Sequence, residues 1–303
     1  MNKHKNHIKE GPFSGDSEEV SCPICSSPPA PQLIYQRQNG VGIWQCPDCQ
    51  IMYASPRFTE KSLMQIYETP DFITGDGYEM FKGWNYENWR ESKDETYIIS
   101  EIKVETVKKY LAPGDRILDV GCGVGFFITE ALKQGFKAEG LEPSEMLCDI
   151  ARKDFGLDIH NILIEDFKPT CKFRAIILWD VLEHVYDPVR VLQRCCDLTE
   201  DEGFLFISVP NSKSLADRLK KQLYRLGLRS GEFKHFGFPW HIYSYNINSM
   251  TALLGKGCYK PLTFTAPSHH VRRGTSNIFS RMIEPFFSSK CLGANLTCVA
   301  QKE

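Results

Sequence analysis

A strand that runs directly into a glycine-rich turn constrains this chain most strongly. The apolar run at residues 116–120 is followed by Gly121, Gly123 and Gly125 in the pattern D-x-G-x-G-x-G. Glycine allows a sharp turn and lets a ligand approach closer than any Cβ atom would permit. The turn therefore predicts a ligand site at the carboxyl end of this strand.

Strand and helix patterns alternate on either side of this turn, with short connections between them. We predict helices at 126–134, 144–155 and 188–198, and strands at 116–120, 137–141, 159–164, 175–178 and 203–209. Such alternation is typical of a parallel, doubly wound α/β sheet, whose ligands bind at the carboxyl ends of the strands.

Acidic residues lie near the predicted strand ends. Asp119 precedes the first glycine, and Glu142 follows the next strand, 21 residues after Gly121. At that offset a carboxylate can accept hydrogen bonds from both hydroxyls of a bound ribose. Asp119 would repel a pyrophosphate, and no Lys-Ser/Thr pair follows the glycines. These features favour a cationic, ribose-containing ligand over a nucleotide phosphate.

Three segments together resemble the class I S-adenosylmethionine (SAM)-dependent methyltransferases, from about Lys108 to the C-terminus. They are the glycine turn at 117–125, Ile-Glu-Asp-Phe at 164–167, and Leu-Trp-Asp-Val-Leu-Glu-His-Val at 178–185. The resemblance implies a Rossmann-like, seven-stranded mixed sheet whose antiparallel final strand, residues 293–300, is inserted beside residues 261–265.

The same resemblance implies a cofactor site. The three glycines would contact the methionine portion of SAM, Glu142 the ribose, and Asp166 with Phe167 the adenine. Asp119 and Asp180 complete the expected cofactor-binding set.

Two histidines are the candidate catalytic residues. His241 lies in a segment that resembles the acceptor-facing H-x-Y segment of sugar methyltransferases, and a neutral imidazole there could accept a proton from an attacking hydroxyl. His184 is the second candidate base. Asp180, Glu183 and His184 also resemble the Glu-Glu-His metal set of ubiquinone-biosynthesis and small-RNA methyltransferases. A divalent cation such as Mg²⁺ at these residues and a purely structural role for them are the alternatives.

Four cysteines near the N-terminus form a different pattern, two C-x2-C pairs separated by 20 residues: Cys22, Cys25, Cys46 and Cys49. This spacing is typical of a zinc ribbon that holds one structural zinc ion. An Asn39-Gly40 turn between two short apolar runs predicts the hairpin that brings the pairs together.

These patterns divide the chain into a disordered tail (1–20), a zinc ribbon (21–57), a helical linker or cap (58–112) and a methyltransferase domain (113–303) with a substrate lid (211–245). Within the lid, residues 213–229 carry six basic side chains and one acid beside several leucines. We expect a solvated helix there, or contact with an acidic acceptor or a membrane surface.

Composition limits the remaining possibilities. The formal charge is −2, and no apolar leader or membrane-spanning run is apparent, which predicts a cytoplasmic protein whose other cysteines are buried apolar residues rather than disulfides. Residues 1–60 hold five basic and six acidic side chains, so a nucleic-acid partner is not expected. We predict methyl transfer to the oxygen or carbon of a sugar or other hydroxylated small molecule. The alternatives are an RNA methyltransferase and a metal-dependent O-methyltransferase.

Overall fold

The computed structural model describes residues 6–10, 13–25, 30–37, 39–67, 93–228, 236–267, 282 and 286–303. Residues 68–92 of the predicted cap and 229–235 of the predicted lid lie outside these ranges.

A seven-stranded mixed sheet forms the larger part of the molecule, as predicted. The strands are β7 (Arg116–Val120), β8 (Lys137–Leu141), β9 (Ile159–His160), β10 (Phe173–Trp179), β11 (Thr199–Pro210), β13 (Tyr259–Thr265) and β14 (Asn295–Lys302). Their order in the sheet is β13-β14-β11-β10-β7-β8-β9. Strand β14 runs antiparallel between β11 and β13, which confirms the inserted final strand. The predicted strand at 159–164 is shorter than expected.

Helices cover this sheet: α2 (Lys93–Val107), α3 (Phe126–Lys133), α4 (Glu145–Phe155), α5 (Pro188–Leu198) and α7 (Ile247–Leu254). Their ends follow from the sequence. The Ser144 side chain caps the first turn of α4, Gly156 ends it in a left-handed conformation, and Asp187 caps α5 ahead of Pro188. The parallel strands are almost completely buried between these layers. None of the helices in the described ranges is long and apolar enough to cross a membrane.

Two small sheets lie at the N-terminal side. One contains β3 (Gln32–Gln36), β4 (Gly42–Gln45) and β5 (Met52–Ser55), and the predicted hairpin is its β3–β4 pair. The other contains β1 (Asn6–Glu10), β2 (Phe13–Glu18) and β6 (Arg57–Phe58), which precedes helix α1 (Glu60–Tyr67). The prediction of disorder for residues 1–20 is therefore wrong for the described part of that segment. Pairing of β2 with β6 and burial of Ile8 stabilise it there, and both depend on residues far away in the chain.

The cysteine-containing sheet is built into the larger domain. Strand β12 (Tyr243–Ser244) pairs antiparallel with β5, and the backbone N–H of Ala54 donates to Ile242. Cys46, Ile51 and Tyr53 belong to the same buried cluster as Leu182, Ile242 and Tyr245. The N-terminal sheet thus supports the segment that carries His241.

Two cysteines differ from expectation. Cys196 in α5 and Cys258, just after α7, form a disulfide with a Cα–Cα distance of 5.9 Å, where we predicted separate buried thiols. They become neighbours because α5 and α7 pack together. Since they are 62 residues apart in the chain, their spacing does not predict the disulfide. Cys171 is exposed, whereas Cys148, Cys195, Cys291 and Cys298 are buried as predicted.

Candidate functional site

The glycine turn leaves the carboxyl end of β7 and opens helix α3. Gly121, Gly123 and Gly125 all have positive φ angles, of 68°, 56° and 84°. A Cβ atom at Gly121 would lie 2.9 Å from Val181, and one at Gly125 would lie 2.2 Å from Leu157, whereas a Cβ at Gly123 would meet open space. The turn therefore packs against the protein at both ends and is open for a ligand in the middle.

Glu142 closes the turn from the end of the neighbouring strand β8. Its carboxylate accepts a hydrogen bond from the backbone N–H of Gly123 at 3.0 Å and another from Ser144 at 2.9 Å. Each carboxylate oxygen keeps a second lone-pair site, so the group can still accept from ligand hydroxyls. Burial raises the pKa of Glu142, while the two backbone N–H groups oppose that shift.

Asp119 is buried beneath the turn, with 3% of its surface exposed. Burial, together with the nearby Glu142 carboxylate, raises the pKa of Asp119 to about 7 against the opposing effect of the Lys103 ammonium. A buried acid of this kind is stabilised as a carboxylate when a cationic group lies nearby. The site therefore fits a cationic ligand.

The residues expected near an adenine follow β9. Asp166 is exposed, and its backbone N–H donates to the carbonyl of Leu163 in a turn. Phe167 is buried, and its ring centroid lies 5.1 Å from that of His160. Both therefore lie beyond the carboxyl end of the strand next to β8, on the side where Glu142 ends its own strand.

Asp180 follows β10 in a left-handed conformation, with φ of 60°. Its carboxylate accepts hydrogen bonds from Asn295 at 2.9 Å and Ser208 at 3.3 Å, and its other oxygen lies 3.4 Å from the Lys103 ammonium. Sequence reasoning missed these three partners, because they come from β14, β11 and α2. Lys103 thus lies near both Asp119 and Asp180.

Three side chains meet on the other side of Asp180. Potential ligand atoms of Glu183, His184 and His241 all lie within 4.8 Å of one another. The predicted metal set contained Asp180 in place of His241, but the hydrogen bonds of Asp180 direct its carboxylate to Asn295 and Ser208. Val181 connects this cluster to the glycine turn, because its side chain packs against Gly121 and its carbonyl accepts a hydrogen bond from the backbone N–H of His184 at 2.9 Å. We call Glu183, His184 and His241 the histidine cluster.

The two imidazoles are held in place by backbone contacts. Nδ1 of His184 lies 3.1 Å from the carbonyl of Trp240, to which it can donate as N–H, which leaves Nε2 as the basic nitrogen. The His241 ring lies against Gly237, where a Cβ atom would approach it to 2.8 Å. Nδ1 of His241 is buried and makes no hydrogen bond to the described residues.

Burial keeps both imidazoles neutral. It lowers the pKa of His184 to about 4 and that of His241 to about 3, where His184 itself contributes to the shift. Neutral imidazole is the form that binds metal ions, and no proton has to be displaced on binding. An orphaned nitrogen beside a carboxylate and a second neutral imidazole fits a divalent cation.

The four N-terminal cysteines also converge. Their sulfur atoms lie within 4.8 Å of one another, with 3.5 Å between those of Cys22 and Cys49. In a tetrahedral zinc site with Zn–S bonds of about 2.3 Å, neighbouring sulfurs are separated by roughly 3.8 Å. The hydrogen bond between Cys22 and Cys49 lowers the pKa of Cys22 and raises that of Cys49, so Cys22 is the first of the pair to form a thiolate. The four sulfur atoms fit a structural zinc ion.

Comparison with known proteins agrees with this geometry. A family described as "Methyltransferase domain" matches residues 91–256, more than half of the chain. The chain belongs to this methyltransferase family. The chain therefore carries a methyltransferase domain, and the solved structures that it resembles share its Rossmann-like fold.

Curated relatives match part of this methyltransferase. The ubiquinone biosynthesis O-methyltransferase of Actinobacillus pleuropneumoniae is 37% identical over 109 residues, which cover 32% of this chain and 47% of the relative. The enzyme of the same name from Coxiella burnetii is 30% identical over 122 residues, covering 38% and 52%. The chain thus spans about half the length of the curated relatives it matches.

Solved structures support the fold. A SAM-dependent methyltransferase from Thermotoga maritima, described as a possible histamine N-methyltransferase, has a TM-score of 0.53 and 20% identity, covering 75% of this chain and 99% of the other. Magnesium protoporphyrin IX methyltransferase from Synechocystis with bound S-adenosylhomocysteine has a TM-score of 0.50 and 16% identity, covering 81% and 100%.

The affinity for SAM should depend on the protonation of Asp119. Because burial raises the pKa of this carboxyl to about 7, lowering the pH through that value neutralises the group that would face the cationic ligand. We therefore expect SAM to bind more weakly below this pH and more tightly above it. Calorimetric titrations of the wild type and Asp119→Asn across the range test this, and the variant should lose the Asp119 component of the pH dependence. A wild-type affinity that is flat through neutral pH would contradict the assignment.

Proposed function

We propose that this enzyme transfers the methyl group of SAM to a hydroxyl oxygen of a small-molecule acceptor, a hydroxylated biosynthetic intermediate such as a phenol or a sugar. The histidine cluster carries this proposal. It combines neutral imidazoles with a carboxylate, and Val181, which packs against Gly121, accepts a hydrogen bond from the backbone N–H of His184 at 2.9 Å. The O-methyltransferase names of the curated relatives support the choice of oxygen as the acceptor atom.

The residues around the turn would bind and orient the cofactor. The open backbone at Gly123 admits the methionine portion, Glu142 accepts from the ribose hydroxyls, and Asp119 complements positive charge. When bound, SAM supplies an electrophilic methyl group on a sulfonium. The protein contributes mainly by aligning the acceptor oxygen with that methyl, since methyl transfer gains most from proximity and orientation.

The histidine cluster would accept the proton that the acceptor hydroxyl loses. Nε2 of His184 and Nδ1 of His241 are the candidate proton acceptors, since the first remains basic when Nδ1 donates to Trp240 and the second makes no hydrogen bond to the described residues. A buried imidazole of low pKa is a weak base, so this route suits an acidic hydroxyl such as a phenol better than an aliphatic alcohol.

The same cluster favours a second candidate function, a metal-dependent O-methyltransferase. Glu183, His184 and His241 would hold a divalent cation, which lowers the pKa of a coordinated hydroxyl when bound. No strong base is then required, which agrees with the low pKa values of both imidazoles.

Manganese binding distinguishes these two functions. If the cluster is a metal site, titration followed by electron paramagnetic resonance should show one bound Mn²⁺ in the zinc-loaded protein, and Glu183→Gln should weaken its affinity at least about tenfold. The matched control is Asp180→Asn, which removes a nearby acid outside the cluster and should leave Mn²⁺ bound. If the wild type binds no Mn²⁺ and turns over fully in the presence of a chelator, the histidines act without metal.

A panel of acceptors tests the proposed function. Radiolabelled SAM should transfer methyl to members of a set of phenols, catechols and nucleotide sugars, and the product should carry an O-methyl group by mass spectrometry. Transfer to RNA alone, or to carbon or nitrogen acceptors alone, would contradict the proposal.

A further inference from the structure

Helix α6 (Leu215–Arg225) faces the protein with its polar side, the reverse of an ordinary surface helix. Leu215, Leu219 and Leu226 are 49%, 60% and 60% exposed, and Leu228 just beyond them is 73% exposed. At about 100° per residue, the first three lie within roughly 40° of one another around the helix axis. They form one exposed row that Gln222 interrupts between Leu219 and Leu226, and we call these three leucines and Leu228 the leucine stripe.

The inward side of α6 docks on the cysteine-containing sheet through polar and aromatic contacts. The Tyr224 ring meets Tyr35 edge to face at 5.0 Å. The Lys221 ammonium donates to the carbonyl of Ser212 at 2.8 Å and lies 3.1 Å from the sulfur of Met52. Burial lowers the pKa of Lys221 and raises that of Asp217 on the same side.

Contacts at the N-terminal end of the helix fix this orientation. Ser214 caps the first turn through the N–H of Asp217, and the N–H of Leu215 donates to the carbonyl of Leu292 at 3.0 Å. A rotation that buried the leucines would take Lys221 and Tyr224 away from their partners. The stripe is therefore held outward by the fold.

Basic side chains flank the stripe. Arg218 and Arg225 are exposed and lie about 60° to 80° to one side of Leu215 around the helix axis. Residues 213–229 contain six basic side chains and one acid in a chain whose formal charge is −2, and of the six Arg218 and Arg225 lie exposed beside the apolar row. An apolar row bordered by arginines is the pattern of helices that lie in the interface of an anionic membrane.

We propose that the leucine stripe and its flanking arginines dock this enzyme peripherally on an anionic lipid bilayer. The leucines would enter the boundary between headgroups and acyl chains, and Arg218 and Arg225 would contact the lipid phosphates. This inference is independent of the methyl acceptor, since it depends only on the surface of α6.

Vesicle sedimentation with the full-length, zinc-loaded protein tests the proposal. The wild type should pellet with phosphatidylcholine vesicles that contain phosphatidylglycerol and should bind pure phosphatidylcholine far more weakly. High salt should weaken binding, because it screens the arginines. The variants Leu219→Gln/Leu226→Gln and Arg218→Gln/Arg225→Gln should each lower the partition coefficient at least about tenfold.

Leu132→Gln is the matched control, since Leu132 is also an exposed leucine on a helix, 43% exposed, but lies on α3. It should bind vesicles like the wild type, and circular dichroism should show that all variants are folded. A wild type that does not bind anionic vesicles would overturn the proposal. Leucine variants that bind these vesicles as well as Leu132→Gln does would also overturn it. Self-association that Leu219→Gln/Leu226→Gln abolishes, without vesicle binding, would also overturn it and assign the stripe to a protein interface.

Discussion

Replacing His241 with alanine should lower the turnover number by a factor of about 10² to 10⁴ and leave the dissociation constant for SAM nearly unchanged. The imidazole is required whether it accepts the acceptor's proton or binds a metal ion, and it is not among the residues assigned to SAM. Single-turnover rates with the true acceptor, combined with calorimetry for SAM, measure the two quantities separately.

His241→Gln is the companion variant, because an amide approximates the size of the ring and can form a hydrogen bond but cannot accept the proton. It should be as slow as His241→Ala. If both variants react at the wild-type rate under conditions where chemistry limits turnover, His241 is structural, and the proton acceptor must be His184 or the acceptor itself.

Replacing Cys46 with serine should remove the bound metal and most of the methyltransferase activity together. Structural zinc contributes about 10 kcal/mol or more to the folding of small modules, which is comparable with the whole stability of a typical domain. Strand β5 would lose its support, and β5 pairs with β12, which begins two residues after His241. Mass spectrometry for zinc and the turnover number are the measurements.

Cys171→Ser provides the control, because Cys171 is an exposed cysteine outside the cluster. It should keep one zinc ion per chain and normal turnover. A Cys46→Ser protein that contains no zinc yet retains full activity would show that the cysteine-containing sheet does not position His241. Wild-type protein that contains no zinc after purification without chelators would show that the four cysteines do not hold this metal.

The sequence predicted the parts of the fold that depend on neighbouring residues. Alternating apolar strands and capped helices predicted the doubly wound sheet. The spacing between the glycine turn and Glu142 was enough to predict that this carboxylate lies at the end of the next strand. The Asn39-Gly40 hairpin is likewise a local signal, which the β3–β4 pair confirms. In each case a few consecutive residues determine the backbone geometry.

The remaining features depend on contacts between distant segments. His241 joins Glu183 and His184 because the Ile242 backbone N–H donates to the carbonyl of Glu183 and β12 pairs with β5, and neither interaction has a sequence signature. The partners of Asp180 likewise come from three separate elements. The outward orientation of the α6 leucines reverses the usual assumption that apolar residues face the core, so periodicity alone could not reveal it.

Calorimetric titration of SAM into the wild type and Glu142→Ala tests the central claim most directly. Glu142 ends the strand beside the glycine turn and holds that turn through the Gly123 N–H. Loss of a buried, charge-assisted hydrogen bond costs on the order of 1.5 to 3 kcal/mol, so the affinity should fall about tenfold to more than a hundredfold. An unchanged affinity for SAM in a folded Glu142→Ala protein would contradict the assignment of this turn as the cofactor site.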